Sequence, residues 1–254
     1  GENRNLREMT PALLYLFPLD DLKTFLPCAE RWAKTYLQFP PNYPHDLHIC
    51  FCNGDVTDKH QSIFKGIKYT QHKFMGPGWD IGTYQHMSGI LEDEFVVFMN
   101  ARVHFNRTGW LKRLMDARLE LGDGLYAMST SNEMTYPVSD VVRTKPNPHV
   151  RTACFGYNPK RFRRYPYIID SRDKGFYFES GMWNFMTWNE DMGYPVHMVL
   201  WDGVYKKKEW RKPPNIFRRG TQSNLLVCDR QTEMFANGDA QLRRNLSIVA
   251  DLGE

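Results

Sequence analysis

Residues able to do chemistry are concentrated in the stretch EFVVFMNARVHFNRTGWL, residues 94–111. An apolar run, residues 95–99, ends in Asn100, Ala101 and Arg102, and a Gly-Trp turn then opens a helix-like segment. Its β-branched and aromatic composition predicts a strand buried on both faces, as in a sheet covered by helices. Ligands bind at the carboxyl ends of such strands. A guanidinium there suits bidentate contact with phosphate, although an arginine at a strand end also serves as an ordinary surface residue. A second cluster is Pro148-His149-Val150-Arg151-Thr152-Ala153-Cys154-Phe155. It reads as one strand whose alternation puts His149 and Arg151 on the same face, where Arg151 would meet a phosphate, an acidic acceptor or a paired carboxylate.

Positioning these side chains needs a sheet, and the first half of the chain supplies one. Residues 12–17, ALLYLF, form a short apolar run ending at Pro18, and Asp20-Asp21 lead into an amphipathic helix over 22–37. Three prolines mark a turn before a second strand over 47–52, which ends at Asn53-Gly54-Asp55. A short helix over 59–65 and a third strand over 68–74 follow. The segment Gly76-Pro77-Gly78-Trp79-Asp80-Ile81-Gly82 then opens a helix over 83–91, with Asp80 a candidate N-cap. This β-α-β-α-β order implies parallel strands joined by right-handed crossovers.

At 254 residues with no Gly/Ser-rich, Pro-rich or charge-block linker, the chain reads as one α/β domain with a sizeable core. A net charge of +4 suits an anionic ligand without demanding nucleic acid. Five cysteines in no metal-binding spacing read as free thiols of a reducing, cytoplasmic compartment, Cys50 and Cys52 pointing to one face of a strand. No signal peptide or apolar run of membrane-spanning length is present.

The strand, polar tip and Gly-Trp-Leu helix start of residues 94–111 resemble the central segment of a GT-A glycosyltransferase of the family 2 type. The resemblance extends over most of the chain and is strongest over 12–111. It implies a single-domain, Rossmann-like, mostly parallel sheet flanked by helices. A nucleotide-sugar-binding half would span about residues 10–111 and an acceptor-binding and catalytic half about 112–254. The family normally writes Asp-x-Asp where this chain has Asn100-Ala101-Arg102. Those carboxylates hold a divalent metal against the donor's diphosphate, since hard cations take oxygen ligands. Arg102 would repel such an ion, so the departure implies a metal-independent member in which a guanidinium neutralises the diphosphate. The first strand's end, at Pro18, Leu19 and Asp20, resembles the place where the family holds the nucleoside. Trp79 to Gly82 resemble its loop contacting nucleotide or sugar. The resemblance thus puts Pro18, Asp20, Asn53, Asp80, Gly82, Asn100 and Arg102 on the donor, and His149 and Arg151 on the acceptor or phosphate.

The same resemblance implies a carboxylate that accepts the acceptor's proton, from an acidic pair at a helix start. Phe178-Glu179-Ser180-Gly181 matches that layout with Ser180 in the second acid's place, making Glu179 the candidate base. Its alternative role is to cap the helix beginning after it; Glu190, Asp191 and Asp229 are further acids in this half. Two segments, NPKRFRRYPY at 158–167 and YKKKEWRKPPNIFRR at 205–219, interleave basic and aromatic residues. Such segments track a phosphate backbone or lie as solvated loops, so a nucleic-acid acceptor is the alternative they raise. A sugar- or nucleic-acid-binding module without catalysis is the other. Residues 223–231 read as a last strand, with a helix from Ala240. Dinucleotide, phosphate-loop, nucleophile-elbow and zinc signatures are missing from the sequence.

Overall fold

A computed structural model describes residues 10–133 and 146–251. Its centre is an eight-stranded sheet. In chain order the strands are β1 (Ala12–Pro18), β2 (Asp46–Cys52), β3 (Thr70–Phe74), β4 (Val96–Met99), β5 (Leu125–Ala127), β8 (Cys154–Tyr157), β9 (Val196–Val199) and β10 (Val204–Tyr205). They lie in the order β10-β9-β5-β8-β4-β1-β2-β3. The run β3-β2-β1-β4 is parallel, and β8 runs antiparallel to both β4 and β5. A separate small ribbon pairs β6 (Thr130–Ser131) with β7 (His149–Val150).

Alternation along β1 divides the core into two layers. Leu13, Tyr15 and Phe17 point to one face, where they meet Ala29, Trp32 and Ala33 of helix α1 (Leu22–Gln38). The rings of Tyr15 and Trp32 stack with centroids 4.4 Å apart. Leu14 and Leu16 point to the other face, with Ile81, Tyr84 and Met87 of α3 (Trp79–Ser88). Both faces are covered, which is why β1 and β4 read as unbroken apolar runs rather than as alternating ones. Cys50 and Cys52 share the second layer, and the five cysteines are free. Among the described residues no helix is long and apolar enough to cross a membrane.

Further helices complete the layers. They are α2 (Asp58–Ser62), α4 (Trp110–Leu121), α5 (Pro159–Phe162), α6 (Arg172–Ser180), α7 (Phe185–Asp191), α8 (Arg230–Asn237) and α9 (Ala240–Asp251).

Three sequence expectations are corrected. Helix α3 begins four residues before the expected start, because Gly78 occupies its N-cap in the left-handed region at φ 94°. A Cβ on Gly78 would stand 2.2 Å from the Ile169 carbonyl oxygen, so the entry into α3 requires glycine. The segment 148–155 is two strands in different sheets, with residues 151–153 crossing between them. Residues 223–229 form turns with one isolated bridge, between His104 and Cys228, and no strand. Leu225, Leu226 and Val227 are buried there, so their apolar run records burial rather than pairing.

Gly156 of β8 is packed so closely that a Cβ would lie 2.3 Å from Cζ of Phe95. That ring cannot yield easily: it carries the Arg118 guanidinium 4.4 Å from its centroid and meets Tyr126 edge-on. Gly156→Ala is expected to cost about 1–3 kcal/mol of stability, the usual penalty of overpacking. A urea-melt midpoint equal to that of the parent would refute this account.

Candidate active site

The carboxyl ends of β1, β2, β3 and β4 deliver Pro18, Asn53, Gly76 and Asn100 to one edge of the sheet. Two cavities open there, one of about 380 Å³ and one of about 350 Å³. They share a wall made of Gly78, Trp79, Asp80 and Arg172. Pro18, Asp20, Asn53, Asp80 and Arg102 line the larger cavity; Asp80, Asn100, His149, Arg151 and Glu179 line the smaller. Gly82 lines neither: its Cα faces the Ile169 and Pro77 carbonyls, 2.6 and 2.7 Å from where a Cβ would sit, so it serves packing.

Local bonding explains how the polar tips are held. Asn53 adopts φ 54°, which asparagine tolerates better than most residues, and its Oδ1 accepts the Gly76 N–H at 3.0 Å. Asn100 Oδ1 accepts the Arg102 N–H at 3.1 Å, closing a turn that projects the guanidinium over Phe25, 5.4 Å from its centroid. Asp21 caps α1 by accepting the Thr24 N–H. Asp80 is not a cap. It lies in the first turn of α3 and its carboxylate accepts a hydrogen bond from the Asn100 side chain.

Electrostatics divides the acids of the smaller cavity. Burial, then the Glu179 charge, push the Asp80 carboxyl up to about 6, against the opposing Asn100 hydrogen bond and Arg102 charge. Glu179 lies near the end of α6, and the next helix is capped by Asn184, so Glu179 is no cap either. Its Oε2 accepts the Thr152 N–H at 2.7 Å and the Thr152 hydroxyl as well. Among the described residues no hydrogen bond reaches its Oε1. His149 is buried, and its Nδ1 donates to the Asn147 carbonyl at 2.8 Å. Burial depresses its pKa, so the ring is neutral with Nε2 unprotonated.

Arg151 is a buried cation engaged by two side chains. Its Nη1 donates to Asp229 Oδ2 at 2.7 Å and to Ser129 Oγ at 2.9 Å, and the guanidinium rests 3.8 Å from the Phe217 centroid. Burial works against the Asp229 charge, but Arg151 and the α8 backbone N–H groups outweigh it and hold that carboxyl below its ordinary range. Glu190 and Asp191 stand outside both cavities: Glu190 pairs with Lys207 at 2.9 Å, and Asp191 accepts the Trp183 indole N–H at 2.7 Å.

Of the further lining residues, Glu133 and Arg172 carried no signal in sequence, whereas Trp79 and Arg218 belong to segments already singled out. Glu133 and Arg218 form an ion pair at 2.6 Å at the rim of the smaller cavity. Trp79 is 64% exposed and holds φ 54°, an uncommon conformation for a bulky side chain. Arg172 opens α6 behind its Ser171 cap, and only the fold brings it to the shared wall.

Asn100 and Arg102, which the sequence resemblance aligns with metal-holding acids, are an amide and a guanidinium, and among the described residues no group of three or more His, Cys, Asp or Glu is placed to hold a metal ion.

No protein-family profile matches the chain, and no curated protein matches it by sequence. Solved structures match it in shape. A 4-diphosphocytidyl-2C-methyl-D-erythritol synthase from Anaerococcus prevotii is 13% identical, with 93% of this chain and 99% of that one covered at a TM-score of 0.50. Mouse xyloside xylosyltransferase 1 is 9% identical, with 75% and 85% covered and a TM-score of 0.46. A protein described as a nucleotide-diphospho-sugar transferase, from Desulfovibrio desulfuricans G20, is 14% identical, with 75% and 80% covered and a TM-score of 0.42. The likeness is one of fold. The chain has a GT-A-type, Rossmann-like fold, a single mixed sheet with helices on both faces.

Two predictions follow from the charges. Because folded Asp80 holds its proton up to about pH 6 rather than 3.8, stability falls as pH rises between those values. The Tm advantage of Asp80→Asn over the parent should therefore grow across that window; a constant difference would mean that Asp80 ionises normally. Arg151→Met strands the Asp229 carboxylate and should cost about 3–5 kcal/mol in denaturant melts, the penalty for breaking a buried pair.

Proposed function

We propose that this protein is a glycosyltransferase that moves a sugar from a nucleotide-sugar donor to a hydroxyl acceptor without a divalent metal. The observation that carries this reading is the pair of adjoining cavities divided by a shared wall, one holding a guanidinium, Arg102, with no ion pair among the described residues and the other a carboxylate, Glu179, fixed by Thr152. The donor would lie in the larger cavity, over Pro18, Asp20 and Asn53, with Arg102 on its diphosphate. The acceptor would enter the smaller one, past His149 and Arg151. Residues of about 10–111 would supply most of the donor side and about 112–254 most of the acceptor side.

In the proposed displacement the acceptor oxygen attacks the anomeric carbon while the bond from that carbon to the phosphate oxygen breaks. The hydroxyl proton passes to Glu179, and the nucleoside diphosphate leaves with its new negative charge beside Arg102. Thr152 gives two donors to one oxygen of Glu179, which fixes where the other oxygen stands. Neutral His149 would accept a hydrogen bond from the acceptor at Nε2.

Local bonding also weighs against nucleic acid as acceptor. In the two basic, aromatic segments Arg161 pairs with Asp123 at 2.8 Å, and Arg163 donates to the Leu91 carbonyl at 2.6 Å. Arg211 and Arg219 both pair with Asp251, and Arg218 with Glu133. These guanidiniums fasten loops and helix α9 to the body, which leaves few of them to follow a phosphate backbone.

The test is a panel of nucleotide-sugars in the presence of chelator, read by thermal shift and by donor turnover. A donor at a hundred times its dissociation constant should add about 2.7 kcal/mol of stability. Glu179→Gln should lower kcat by about 10²–10⁴-fold with little change in donor affinity, the scale of a lost general base. Turnover that needs added metal, or that survives Glu179→Gln intact, would reject the mechanism.

A further inference from the structure

Four arginines line the paired cavities, and they are of two kinds. Arg151 and Arg218 are neutralised in place, by Asp229 at 2.7 Å and by Glu133 at 2.6 Å. Arg102 and Arg172 are not. Among the described residues the guanidinium of neither makes an ion pair or a hydrogen bond. Each rests instead near aromatic rings: Arg102 is 5.4 Å from the Phe25 centroid, and Arg172 lies 5.1 Å from Trp79 and 5.0 Å from Phe176. A guanidinium held against a ring is oriented by it yet keeps its N–H donors for a ligand.

Both unpaired cations face the larger cavity, and Arg172 faces the smaller one as well. Several acids of the larger cavity are engaged. Asp21 caps α1, Asp170 pairs with Lys174 at 2.5 Å, and Asp80 takes the Asn100 amide. Asp20 is exposed at the strand end.

We propose that Arg172 is the second half of a two-arginine clamp on the donor's diphosphate, gripping it from the acceptor side while Arg102 grips it from the sheet. This rests on the glycosyltransferase reading. The diphosphate of a nucleotide-sugar carries two negative charges, and two guanidiniums match them with bidentate geometry that a lysine lacks. Standing on the shared wall, Arg172 meets the phosphate whose oxygen leaves the anomeric carbon, where the third charge develops. Arg172, Phe176 and Glu179 follow one another at helical spacing on α6, and all three line the smaller cavity. Seating the diphosphate on Arg172 therefore also fixes the helix that presents the candidate base.

The experiment is calorimetric titration, in chelator, of the parent, Arg172→Gln, Arg172→Lys and Arg102→Gln. The probes are inorganic pyrophosphate and the nucleosides and nucleoside diphosphates of U, G, C, A and dT, with thermal melts as a control for folding. Arg172→Gln should weaken pyrophosphate and the bound nucleoside diphosphate about tenfold or more, the scale of a charge-assisted hydrogen bond, while leaving the matching nucleoside unchanged. Arg172→Lys should fall between the two. Arg102→Gln should lose a similar factor, since both arginines act on the same group. A diphosphate affinity unchanged in Arg172→Gln but lost in Arg102→Gln would overturn the clamp and leave the donor site standing. Absence of binding by every nucleotide to the parent would overturn both.

Discussion

The buried ion pair of Arg151 and Asp229 is the contact on which the site's architecture depends. Asp229 Oδ1 accepts the Gln231 and Thr232 N–H groups at the start of α8, while Oδ2 takes Arg151. Arg151 in turn reaches Ser129 after β5 and lies on Phe217. Four segments distant in sequence are thereby pinned to one another beside the smaller cavity. Two desolvated charges rarely earn their keep by attraction alone, and here the further hydrogen bonds offset the burial. The cavity wall keeps its shape because each of these groups has a partner that cannot be exchanged for water.

Around that fixed point the cleft is electrostatically graded. Arg218 and Glu133 repeat the paired arrangement at the rim, whereas Arg102 and Arg172 are held by rings. Asp80 lies between the regimes, half-buried, with a carboxyl raised by burial and by Glu179. The raised carboxyl is a cost to folding that an edge of ordinary surface would not retain. Strain is also stored in the backbone there, at Trp79, directly after the Gly78 N-cap.

What the sequence disclosed follows the physics of each signal. Strands β1, β2 and β4 are legible because both of their faces are buried, and α1 because one of its faces is. Asn53, Asp80, Asn100 and Arg102 are legible because parallel strands place their carboxyl ends on one edge. Beyond α4 these signals weaken. The run 148–155 has the composition of a strand, yet a crossing at residues 151–153 sends its halves to different sheets. Within 223–229 the apolar residues Leu225, Leu226 and Val227 are buried without pairing as a strand, and the Leu225 carbonyl accepts the Trp201 indole N–H instead. Gly82 looks like a ligand contact because glycine marks close approach in general; here what approaches is backbone. Arg172 and Glu133 had no local signature, since their place in the cleft comes from tertiary folding alone.

The cavities draw on separate stretches of chain. The larger is built from residues 16–102 with only 170–172 added, and the smaller takes most of its lining from 131–231. Under the proposed reading, the parts that select a donor and the parts that select an acceptor are thus inherited almost independently. Recombination between relatives, by crossing over in the α4 helix, would pair an old donor preference with a new acceptor, provided that the incoming 170–172 segment completes the retained donor cavity.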